Sequence, residues 1–235
     1  MTFSRRDVLR LAGGVALATA APAAFAATER SAANQWYPLR GDDGHPVPNL
    51  RAPIELTSEL EDMPGVIWGG GGGSPLVTLV EFYDYNCPWC RKTAVDLAEL
   101  MRANPDLRVG LVNNAILSPQ SAQAAKVQLA VLATKGAKTT HELHQRLFRL
   151  TGRVDGPRAL NLAAELGCDR AEIERVADSP ETGAILKQQM RLAASLGLSA
   201  TPSFLVGGAA VLGYPGTKSM AQIVGATRRC GTVAC

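Results

Sequence analysis

The chain has 235 residues, 46% of them hydrophobic, and a formal net charge of +3 from 24 basic and 21 acidic side chains. That is enough apolar material for one well-buried core, or one core with an insertion. Lys and Arg are scattered rather than clustered, so a nucleic-acid partner, which needs many phosphates neutralised together, is not expected.

Residues 1–26, "MTFSRRDVLRLAGGVALATAAPAAFA", place Arg5, Arg6 and Arg10 ahead of a mildly apolar run that ends in Ala24-Phe25-Ala26. A positive start, an apolar middle and a small-residue end make an export signal, cleaved near Ala26 to leave a mature chain starting at Ala27. Gly13, Gly14, Thr19 and Pro22 interrupt the run, which is too weakly apolar for a good span of about 20 residues; a retained anchor is the alternative. Ser4-Arg5-Arg6-Asp7-Val8-Leu9-Arg10 is similar to the twin-arginine export motif, although a general secretion signal also begins with positive charge. Loss of the signal removes three Arg and one Asp and lowers the formal charge to +1. A periplasmic or otherwise exported location lets disulfides form and persist.

Residues 27–75 are rich in Pro, Gly and charge, as in "PLRGDDGHPVPNLRAP", with no sustained period of 2 or 3.6. They read as an irregular N-terminal arm with at most one short strand. Gly69 to Gly73 form a local low-complexity run, read as a connecting loop. From Leu76 the texture changes. "LVTLVEFYDY" is β-branched and aromatic and suits a buried central strand. "CPWCRKTAVDLAELMRANPD" carries a helical apolar spacing that ends near Asn104-Pro105, and "LRVGLVNN" is a second strand.

Strand, helix and strand in that order predict a parallel βαβ unit with a right-handed crossover. About residues 118–198 the sequence is helical almost throughout. Asp169 with Glu172 forms a capping box there, and Cys168 just before it can pair with Ile173 as a hydrophobic staple. "SFLVGG" and "AAVLGY" then predict a hairpin, and "GTKSMAQIVGATRR" a closing helix. The predicted class is α/β, βαβ followed by ββα, with an all-helical insertion between the halves.

Cys87 and Cys90 bracket Pro88-Trp89 where the first strand becomes a helix. Such a pair can hold a metal, lock a turn or exchange disulfides. Exchange proceeds by thiolate attack, so the attacking sulfur must be ionised near neutral pH and reachable. Cys87 is placed at the helix N-cap, where unpaired N–H groups and the positive end of the macrodipole favour a negative sulfur. Pro88 suits the first helical position, where its missing N–H would have had no partner. Cys87 is therefore read as the nucleophile and Cys90, one turn inward, as the resolving cysteine. His141 and His144, three apart on a helix, could in principle complete a Cys₂His₂ metal site, but nothing in the sequence makes them converge on the cysteines, and no metal and no cofactor is expected.

Cys-Pro-Trp-Cys, the preceding "VEFYDYN", the "ATPSFLVGG" segment and the order of elements together resemble the DsbA-like family of exported thioredoxin-fold oxidoreductases, over residues 76–229. The resemblance implies a thioredoxin fold and a protein disulfide oxidoreductase. It implies that Glu81 is a buried acid that shuttles a proton for the second cysteine, and burial in an apolar strand would raise its pKa toward neutrality. It implies that Pro202 follows a cis peptide bond facing the disulfide, and that Thr201 offers backbone groups to an extended substrate peptide. Trp89 either adds an apolar contact to substrate or packs on the insertion. The Pro-Trp dipeptide lacks the His that strongly oxidising members place beside the second cysteine.

A dithiol oxidase acting on unfolded or reduced exported proteins is expected, with a membrane or soluble redox partner to restore the site. An isomerase or reductase of the same fold, or a non-enzymatic chaperone, are the alternatives. Isomerases of the superfamily usually carry a folded dimerisation domain, and the short arm of 27–75 points instead to a monomer. Cys168 reads as a buried free thiol. Cys230 and Cys235, in the tail of residues 230–235, are candidates for a structural disulfide; a mobile tail, a pairing with Cys168 or an electron relay are the alternatives.

Overall fold

The computed structural model describes residues 36–72 and 76–235, and the export signal expected at residues 1–26 lies outside the described residues. The arm begins with β1 (Asn49–Arg51), α1 (Ile54–Glu59) and β2 (Ile67–Gly70). The βαβ unit follows as β3 (Val77–Tyr83), α2 (Pro88–Ala103) and β4 (Leu107–Asn113). Four helices make the insertion: α3 (Pro119–Arg149, interrupted at Gly136), α4 (Gly156–Glu165), α5 (Arg170–Ala177) and α6 (Pro180–Ser195). The hairpin β5 (Ser203–Val206) and β6 (Ala209–Leu212) and the closing helix α7 (Thr217–Cys230) complete the chain.

Among the described residues six strands form one sheet, in the order β1-β6-β5-β3-β4-β2. β3 and β4 are parallel, from Val77 opposite Leu107 to Tyr83 opposite Asn113, and every other pairing is antiparallel. This is the thioredoxin-like architecture expected, with the helical insertion between its halves. The arm is more ordered than its sequence suggests. It supplies both edge strands, β1 on β6 and β2 on β4. Each is only three or four residues long and takes its partner from far along the chain, so no local pattern announces it. The Gly69–Gly73 run, read as a loop, therefore begins inside β2.

Alternation along β3 sends its side chains to two separate cores. Val77, Leu79 and Tyr83 face Leu97 and Leu100 of α2, Ile223 of α7 and Leu143 of α3. Val80 and Phe82 face Leu192 and Leu196 near the end of α6, and Leu60 and Met63 of the arm. Glu81 shares the parity of Leu79 and Tyr83, so it lies beneath the helix that carries the cysteine pair.

Side-chain oxygens cap the insertion helices: Ser118, Asp155, Asp169 and Ser179 accept from the backbone N–H three residues on. α7 is capped from a distance. Gly216 precedes it with φ 99° and has no side chain, and Asp42 of the arm accepts from Ser219 N at 2.7 Å, Ser219 Oγ at 2.8 Å and Lys218 N at 3.1 Å. A Cβ on Gly216 would fall 2.4 Å from Asp42 Cγ, so the close approach requires glycine here.

Candidate active site

The β3–α2 junction is built by Asp84. This buried carboxylate accepts from Asn86 N at 2.7 Å and from Leu117 N at 2.9 Å, while its backbone carbonyl accepts from Cys87 N at 3.0 Å. The turn places Cys87 in an extended conformation at the N-cap of α2, with Pro88 opening the helix. Cys90 N donates to Cys87 Sγ at 3.4 Å, within the longer range of sulfur acceptors. Both cysteines are free thiols in this structure.

The two thiols have opposite acidities. A hydrogen bond from the Cys90 thiol, opposed in part by burial and aided by donors at Thr201 and at the backbone N–H groups of Cys90 and Trp89, pulls the Cys87 pKa down to about 6. Burial, reinforced by its bond to Cys87 and by the charge of Glu81, pushes Cys90 far up. At neutral pH the first sulfur is therefore mostly anionic and the second holds its proton.

The loop before β5 closes over the pair. Its Thr201–Pro202 peptide bond is cis, and Cys87 Sγ lies 3.0 Å from Thr201 O, to which the protonated thiol donates. The Thr201 hydroxyl is buried with no hydrogen-bond partner among the described residues, and donation from it to an ionised Cys87 is one of the causes that lower that thiol's pKa. Ser203 Oγ donates to Ala200 O at 2.7 Å and so ties the loop across the cis bond.

Glu81 is fully buried, and neither carboxylate oxygen has a hydrogen-bond partner among the described residues. Burial, with the charge of Cys87 adding to it, raises its pKa to about 8. A carboxyl held in this way is mostly protonated at neutrality and titrates close to it, which suits exchange of a proton with a neighbouring thiol.

Behind Glu81 lies a polar network that sequence reasoning missed. Tyr83 hydroxyl donates to Gln128 Oε1 at 3.2 Å, Tyr83 and Tyr85 hydroxyls are 3.3 Å apart, and Tyr85 hydroxyl is 3.1 Å from His144 Nδ1. Gln128 Oε1 also accepts from Asn113 Nδ2 at 2.7 Å, and Asn113 Nδ2 reaches Gln189 Oε1 at 3.1 Å. The network stitches the insertion to the sheet. Burial holds the His144 pKa down at about 3, so its ring is neutral. His141 and His144, weighed above as metal ligands, lie instead with Glu81 on the wall of one cavity. Their spacing of three was the available signal.

Trp89 is 59% exposed. It lines a groove of about 370 Å³ whose far wall is the arm at Asp42, His45 and Pro48 and whose floor includes Lys92 and Tyr214. Cys168 is a buried free thiol. Cys230 and Cys235 are joined in a disulfide that closes the tail, and Val233 between them is buried in the core.

The model of the DSBA-like thioredoxin domain family matches residues 78–227. Among solved structures, a thioredoxin-like oxidoreductase from Silicibacter pomeroyi DSS-3 is 31% identical, with a TM-score of 0.67 over 74% of this chain and 98% of that one. The thiol-disulfide exchange protein alpha-DsbA2 from Wolbachia pipientis is 19% identical, with a TM-score of 0.63 over 73% and 93%. A periplasmic thioredoxin-like protein from Salmonella enterica serovar Typhimurium is 19% identical, with a TM-score of 0.62 over 75% and 98%. No curated protein matches the sequence significantly.

Proposed function

Because the chain belongs to the DSBA-like thioredoxin domain family and is on that ground a thiol-disulfide oxidoreductase, we propose that it works in the oxidising direction, as an exported and monomeric dithiol oxidase. The observation that carries this reading is the acidity of Cys87, at about 6 against a usual 9.0. Stabilising the thiolate stabilises the reduced enzyme, which makes its disulfide more ready to be passed on.

In the reaction, a substrate thiolate attacks Cys87 Sγ of the Cys87–Cys90 disulfide and forms a mixed disulfide. Cys90 leaves as thiolate and takes a proton from Glu81. A second substrate thiolate then attacks the substrate sulfur of the mixed disulfide, and Cys87 departs as thiolate. The substrate has lost two electrons and the enzyme pair has gained them. A redox partner accepts those electrons to restore the site.

Thr201 O, beside the cis bond, is the backbone acceptor for an extended client segment, and Trp89 and its groove give that segment an apolar surface with little sequence preference. Exported, reduced proteins are the clients that fit. Among the described residues no helix is long and apolar enough to cross a membrane, and the arginine-led segment of residues 1–26 supports delivery outside the cytosol. The arm's strands pair within the chain's own sheet, which supports a monomer.

The test is the equilibrium reduction potential against glutathione, measured alongside oxidation of a reduced, unfolded protein. A value well above that of thioredoxin, about −270 mV, with catalysed oxidation supports the reading; a value near it overturns the oxidising direction. Substitution of Cys87 by Ser abolishes turnover if Cys87 is the nucleophile.

A further inference from the structure

The cavity that holds Glu81 has a volume of about 30 Å³, room for roughly two water molecules. β2, β4 and α2 present only glycine and apolar side chains to it, among them Met101 and Ala98, and α3 presents His141, His144 and Gln145. Glu81 and the two histidines are therefore its titratable groups. Cys87, Cys90, Tyr83 and Tyr85 lie close enough to Glu81 to feel or exert charge. Glu81 and His144 sit at its buried end, whereas His141, Gln145, Ala98 and Met101 are only half-buried. One end reaches the carboxyl and the other the surface.

The hydrogen count of the adjoining network fixes the tautomer of His144. Gln189 is oriented by donating from Nε2 to Pro64 O at 3.0 Å, so its Oε1 faces the Asn113 amide. Asn113 Nδ2 then faces Gln128 Oε1, which can only accept from Tyr83. The links Tyr83–Gln128, Tyr85–Tyr83 and His144–Tyr85 share two hydroxyl hydrogens. All three are made only if His144 Nδ1 supplies the third. Its Nε2 is then a bare acceptor, and no protein donor among the described residues bonds it.

We propose that this cavity is the proton passage of Glu81, with His141 at its mouth exchanging protons with solvent and His144 Nε2 accepting a hydrogen bond from whatever carries the proton across. The inference rests on the thiol-exchange reading above and adds two residues to it. His141 is the relay and His144 is a positioning residue. Burial lowers the His141 pKa, so the ring is neutral and able to take a proton.

In oxidation of the reduced site by glutathione disulfide, Cys87 thiolate first attacks one glutathione sulfur, giving a mixed disulfide and one glutathione thiolate. Glu81, mostly protonated at rest, first gives its proton up to solvent; its carboxylate then takes the proton of Cys90, whose sulfur attacks Cys87 Sγ and releases the second glutathione thiolate. The enzyme pair is oxidised by two electrons and the glutathione disulfide is reduced. Each oxidation therefore sends one proton from Glu81 to solvent.

The experiment follows both steps by mass spectrometry at pH 7. His141→Ala is expected to leave the first step unchanged and slow the second about 10-fold, a modest value for removal of one proton carrier. The Cys87–glutathione adduct accumulates, and added imidazole restores the second step. Ala98→Leu, which narrows the cavity with both histidines in place, slows the same step without rescue by imidazole. If both variants complete the second step at the wild-type rate, or if His141→Ala slows both steps alike or shifts the Cys87 titration, the passage is overturned. A wild-type protein inert to glutathione disulfide would instead sink the exchange reading.

Discussion

Cys87 Sγ lies 3.0 Å from the backbone oxygen of Thr201, whose bond to Pro202 is cis, so residues 114 positions apart share one small surface. The same threonine bears a buried hydroxyl with no hydrogen-bond partner among the described residues. Thr201→Val, which keeps the shape and removes that donor, is expected to move the Cys87 thiolate titration up from about 6. The rise is roughly one pH unit, because a hydrogen bond to a charged acceptor is worth about 1.5–3 kcal/mol before solvent screening of a partly exposed sulfur. Thiolate absorbance against pH measures it, and an unchanged titration would show that the hydroxyl does not serve the sulfur.

Glu81 makes folding less favourable as pH rises. Its pKa is about 8 in the folded chain against 4.5. Below pH 4.5 both states hold the proton and nothing is lost. Between 4.5 and 8 the unfolded chain ionises while the folded one does not, so stability falls across that window. Glu81→Gln is expected to stabilise the reduced protein by about 3 kcal/mol at pH 7 and by almost nothing at pH 4, at roughly 1.4 kcal/mol per pH unit. Urea unfolding at the two pH values checks it, and an equal effect at both would point to packing rather than charge.

Asp42→Ala removes the acceptor that the arm lends to the first turn of α7. A loss of about 1 kcal/mol is expected, the usual worth of an N-cap. The Cys87 titration should not change, because α7 does not bond to the sulfur. Chemical denaturation together with thiol titration separates the two effects.

The tail disulfide closes a small ring at the C-terminal end of α7, where the helix dipole disfavours a thiolate. It is expected to hold Val233 in place rather than to exchange with clients. Replacing Cys230 and Cys235 together by Ser should cost up to about 2 kcal/mol, the loop-entropy value for so short a ring. Turnover at Cys87 should survive. Loss of turnover with stability intact would restore the relay reading.

How much of this was legible depended on the reach of each interaction. The cysteine pair, Pro88 and the βαβ unit are written within about 40 residues of continuous sequence, where period and punctuation show them directly. Glu81 stands out as an acid in an apolar strand, yet its burial on the α2 side follows only once the strand's parity is set against the helices. The arm was harder. β1 and β2 have no period of their own, and Asp42 looks like a turn residue until Gly216 is seen to leave a helix end uncapped beside it. Gly110 is similar: a glycine in a buried strand makes sense only because Trp68 on the neighbouring strand lies where its Cβ would be, at 2.7 Å. The Tyr83, Gln128 and Gln189 network has no sequence signature, because each member is an ordinary residue until three elements meet.

β1, near the start of the described chain, pairs with β6, close to its end, Asn49 standing opposite Val211. A polypeptide emerging from the ribosome therefore cannot finish this sheet until almost all of it has been made. Until then β1 and the edge of β3 that awaits β5 stay open to pairing with strangers. Trimming the chain from either side would bare that same seam.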